Sequence, residues 1–104
     1  MNTRKETLCS LLEELIRVVE KENKNEYKAI KKQVVNLAED IYGEKLETLS
    51  TEETVLVNGI INSLTYIYPF PERREELLER AKKFAERFSE LLKKKGRWFY
   101  ATRT

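Results

Sequence analysis

Apolar residues recur along this chain at three- and four-residue steps, the period of one helix face meeting a core. Leu8, Leu11, Leu12, Leu15, Val18 and Val19 form the first such stripe, with Ile16 widening it, and predict a helix from about Thr3 to Glu22. The run Asn23-Lys24-Asn25 breaks the pattern and supplies an N-cap for a second helix, Glu26 to Tyr42, whose stripe is Tyr27, Ile30, Val34, Leu37 and Ile41. Gly43 falls where a C-terminal glycine cap belongs. Ser50-Thr51-Glu52-Glu53 spells a capping box, so a third helix starts there and continues to about Tyr68. Pro69 and Pro71 force an extended turn around Phe70. A fourth helix starts near Glu72, carries Leu77, Leu78, Ala81, Phe84, Ala85, Phe88, Leu91 and Leu92, and stops at Gly96.

No segment alternates as a half-buried strand does. The expected fold is therefore all-α: an antiparallel four-helix bundle over residues 1–96, with a short irregular tail over 97–104.

The third helix departs from the usual division into an apolar stripe and a charged face. Val57, Ile60, Ile61, Leu64, Ile67 and Tyr68 define its core side, while Val55, Gly59, Asn62, Ser63 and Tyr66 occupy the other. No charge interrupts residues 54–71, in a chain that is 37% charged. Small residues four apart, Gly59 and Ser63, admit a close neighbour. Two readings follow. Either another helix of the bundle covers this side, or it is a self-association or partner surface with Tyr66 as its anchor, predicting a dimer.

The 104 residues make one domain. Its 18 acids are all Glu except Asp40, and enrichment in Glu and Lys over amides is the compositional habit of thermophiles. The uncharged run at 54–71 is too short and too polar to span a bilayer, so the expectation is a soluble, cytoplasmic protein with no membrane role. There is no histidine, which removes Ser-His-Asp and Cys-His nucleophilic machinery and imidazole metal sites. Cys9, the one cysteine, reads as an inert thiol at the edge of the first stripe. The three glycines are scattered, so no phosphate-binding loop is present. Pairs such as Glu72/Glu75 and Glu76/Glu79 arise by chance at this glutamate content and alternate with arginines, as a solvated face does. No enzyme activity, cofactor or metal is expected.

What remains is charge. The net +2 conceals a basic C-terminal segment without a single acid: Lys93, Lys94, Lys95, Arg97 and Arg103, interleaved with Trp98, Phe99 and Tyr100. Cations that neutralise phosphates beside rings that stack on bases are what single-stranded nucleic acid requires. The alternative is that the tail's aromatics cap the bundle end against the acidic connection Glu44 to Glu53. A second basic feature, Lys24, Lys28, Lys31 and Lys32, spans an arc of roughly 100° on the second helix, where a plain solvated face is the competing reading. The expectation is a non-catalytic binder of DNA or RNA that contacts it through the C-terminal segment, with Lys28 and Lys31 contributing, and that self-associates through the third helix. A protein-binding adaptor or assembly subunit using the uncharged side of the third helix is the alternative.

Overall fold

The computed structural model describes the backbone of residues 4–42 and 48–103, and the side chains of 4–41 and 48–93. Four helices account for nearly all of it: α1 (Arg4–Glu20), α2 (Lys24–Tyr42), α3 (Thr51–Ile67) and α4 (Arg74–Arg103), with a single 3-10 turn, Pro71–Arg73, leading into α4. No strand occurs among the described residues. Gly43 and Glu44 to Glu47 lie outside the described residues, and with them the expected glycine cap and most of the acidic connection.

The helices run up, down, up, down. Lys5 near the start of α1 reaches Glu53 at the start of α3, while Glu20 at the end of α1 meets Lys82 in the first half of α4. α4 packs along α3 and α1, and α1 also packs along α2. The backbones of α2 and α3 stay further apart, and an open cleft of about 340 Å³ lined by Val35, Ala38, Leu49, Val57 and Ile61 lies between them. One apolar core fills the centre, with Leu8, Leu12, Leu15, Ile60, Leu64 and Phe88 fully enclosed. Leu56 joins it as well, although the third helix's stripe predicted from spacing did not include it.

The starts of α3 and α2 are capped by side chains. Ser50 Oγ accepts the Glu53 N–H at 3.1 Å, and the Glu53 carboxylate accepts the Ser50 N–H at 2.8 Å, completing the reciprocal box. The same Glu53 oxygen accepts from Lys5 Nζ at 3.0 Å with both side chains largely removed from water. Asn23 caps α2: its Oδ1 accepts the Glu26 N–H at 3.1 Å. α2 therefore begins two residues earlier than the sequence pattern predicts. Two residues past the end of α1, Glu22 takes a positive φ of 59°, while the N–H groups of Glu22 and Asn23 bond back to the carbonyls of Val19 and Val18. That is a Schellman ending built on a glutamate rather than the usual glycine.

Two expectations are corrected here. α4 does not stop at Gly96; the helix continues through it to Arg103, so residues 97–103 are not an irregular tail. A glycine inside a helix costs about 1 kcal/mol relative to alanine, which weakens a helix without ending it, and the flanking lysines and arginine are good helix formers. The 30 residues of α4, about 45 Å of helix, account for the 50 Å long axis of the molecule. Second, Gly59 is covered from within. A Cβ there would lie 2.7 Å from Cε2 of Phe84, so the missing side chain is what lets α3 approach α4. Ser63, one turn on, is also buried. Gly59 is consumed by the α3–α4 packing and Ser63 is buried within the bundle, so neither offers the side chain of an open face.

Candidate nucleic-acid interface

Lys24, Lys28 and Lys32 are exposed on α2, and Lys31 is half-buried at its edge. None of the four is ion-paired among the described residues. Lys24 opens α2 at the positive end of the helix dipole, where Glu26 shares the first turn; Lys28, Lys31 and Lys32 lie further in, and Glu39 and Asp40 stand near the negative end. A charge adverse to the dipole in a terminal turn costs about 0.3–1 kcal/mol.

Two of the lysines are held by aromatic and hydroxyl groups that bridge α2 to α3. Lys31 Nζ donates to Thr65 Oγ1 at 3.1 Å and stands 5.7 Å from the Tyr27 ring centroid. Thr65 Oγ1 donates its proton to the Ile61 carbonyl at 2.8 Å, so it accepts from Tyr27 Oη at 3.0 Å as well as from Lys31. Lys24 Nζ lies 5.6 Å from the Tyr68 ring, in a cation–π arrangement. Tyr27 and Tyr68 pack tilted, with centroids 5.1 Å apart. The Tyr68 hydroxyl is buried with no partner among the described residues, and burial, followed by the nearby Tyr27, pushes its pKa above the ordinary tyrosine value. Tyr27, Thr65 and Tyr68 are thus the struts of this face. Tyr27 and Tyr68 figured in the sequence only as core positions, because a bridge across 38 residues leaves no local signal.

Beyond Thr65 the outer side of α3 is uncharged: Asn58, Asn62, Val55 and Tyr66, followed by Phe70 after the helix. Val55 is 63%, Tyr66 53% and Phe70 43% exposed, the only large apolar side chains so exposed among the described residues. The Tyr66 and Phe70 rings lie 6.3 Å apart at 47°. Of the residues expected to mediate association, Val55, Asn62 and Tyr66 therefore share one open surface, and Gly59 and Ser63 do not.

α4 carries its cations differently. Arg80 pairs with Glu76, Lys82 with Glu20, and Arg87 with Glu52 and Glu90. Arg74 donates to the Glu20 carbonyl at 2.8 Å, at the end of α1. Lys93 is exposed beside the groove between α1 and α4. Lys94, Lys95, Arg97, Trp98, Phe99, Tyr100 and Arg103 follow on the last turns of α4, with side chains outside the described residues.

Cys9 is buried, and burial together with its hydrogen bond to Glu13 pushes the thiol up from 9.0 to about 12. A thiol so protonated is a poor nucleophile. No group of three or more metal-ligating side chains gathers among the described residues, and no helix there is long and apolar enough to cross a membrane. The chain matches no protein-family model, no curated protein and no solved structure at significant similarity.

Proposed function

We propose that the protein is a non-catalytic nucleic-acid binder whose principal contact is the lysine face of α2, with the cationic end of α4 as a second contact. The observation that carries this reading is the set Lys24, Lys28, Lys31 and Lys32, which lie on one side of α2 and have no carboxylate partner among the described residues. Phosphates supply the missing counter-charge, and their binding releases condensed cations, so affinity falls steeply with salt.

Anisotropy titrations of labelled DNA and RNA across a salt series test this. Lys28→Glu/Lys31→Glu/Lys32→Glu is expected to abolish most of the affinity and lower the log–log salt slope by about 2–3, at 0.7–0.9 per phosphate lost. A truncation ending at Lys95 is expected to weaken binding by a smaller factor. Absence of binding at low salt rejects the function. Unchanged binding by the triple variant rejects α2 as the contact.

A second reading, self-association or adaptor binding, draws on the exposure of Val55, Tyr66 and Phe70. It predicts a concentration-dependent dimer in sedimentation that Tyr66→Glu disperses; a monomer at high micromolar concentration removes it.

A further inference from the structure

Resting on the nucleic-acid reading, we infer that the ligand is a single strand, its bases lying on Tyr66 and Phe70 while its phosphates follow the lysines of α2. Both rings are exposed, within a run, 54–71, that carries no charge. Their 47° tilt at 6.3 Å keeps them from stacking flat on each other, so each retains a face for a base.

The cations run alongside. Lys31 is hydrogen-bonded to Thr65, the residue before Tyr66, and Lys24 stands over Tyr68, midway in sequence between the two rings. A track of ammonium groups and a track of rings thus adjoin at two points. Lys24 to Lys31 covers about 10 Å of helix. Asn58 and Asn62 extend the uncharged side and offer amide donors and acceptors to base edges. In a duplex the base faces are already stacked, so it can satisfy the lysines but leaves both rings in water. A single strand satisfies both sets.

The test uses the full chain, a labelled oligothymidylate of twelve nucleotides and a duplex of the same length. The single strand is expected to bind at least tenfold more tightly. Tyr66→Ala/Phe70→Ala is expected to lose roughly tenfold per ring for the single strand, with duplex affinity and salt slope unchanged. Tyr66→Trp restores or exceeds parental affinity. Both positions are exposed, and matched thermal melts confirm that the fold survives. Preference for the duplex, or an alanine variant that binds the single strand as the parent does, overturns the inference. Equal, lysine-dependent binding of both forms overturns it while sparing the nucleic-acid reading. No binding of either by the parent chain overturns both.

Discussion

On α4 the first turn holds Glu75 and Glu76 and the last turns hold Lys93, Lys94, Lys95, Arg97 and Arg103, the order that a helix dipole favours. On α2 the first turn holds both Lys24 and Glu26, further lysines follow, and Glu39 and Asp40 trail. In the first half of α4, Arg74, Arg80, Lys82 and Arg87 are also engaged by neighbouring acids or by backbone carbonyls, while Lys83 and the lysines of α2 are not, among the described residues. Lys82, Arg87 and Arg74 tie α4 to α1 and α3, and Arg80 pairs within its own helix. That weakens the case for the C-terminal segment as the principal contact and strengthens it for α2, the weaker candidate when only the sequence is considered.

If this contrast is right, removing a structural cation must cost stability and removing an α2 lysine must not. The largest effect belongs to Lys5→Ala. It takes the ammonium from a Glu53 carboxylate whose side chain is 1% exposed, and about 3 kcal/mol should be lost in urea unfolding. Arg74→Ala comes next. Its guanidinium donates to the last carbonyls of α1, and about 1.5 kcal/mol should go, whereas Lys28→Ala/Lys32→Ala should stay within about 0.5 kcal/mol of the parent. Equal losses in those two variants would erase the distinction between the helices. The smallest effect has the opposite sign. Lys24→Glu should raise stability by about 0.5 kcal/mol in thermal melts by complementing the dipole at the start of α2, even as it weakens nucleic-acid binding. A clear loss of stability would mean that the Lys24–Tyr68 contact matters more to the fold than its helix position does.

Local chemistry was legible in the sequence wherever partners lie within one helical turn. The Ser50–Glu53 box, the cap in the Asn23-Lys24-Asn25 run and the four apolar stripes are all of this kind. The Lys5–Glu53 pair joins residues 48 apart, and nothing in either neighbourhood announces it. Gly59 marks a close helix approach, but spacing cannot say whose helix approaches, and it is the chain's own α4. Gly96 was misread because glycine is both a common helix terminator and a tolerated interior residue; only the backbone that follows distinguishes them. The charge order of α2 was visible from the start. Its meaning depended on knowing which lysines had acids beside them, which is a property of the fold.

The length of α4 sets a ruler across the molecule. Phe84 lies level with Gly59, so Thr65 and the lysine beside it sit near residue 78 of the antiparallel α4, and Arg103 is some 25 residues further along. That is roughly 35 Å of helix. The two basic regions are consequently at opposite poles. On the proposed nucleic-acid reading, a short oligonucleotide would occupy one of them and a longer polymer would be needed to bridge both.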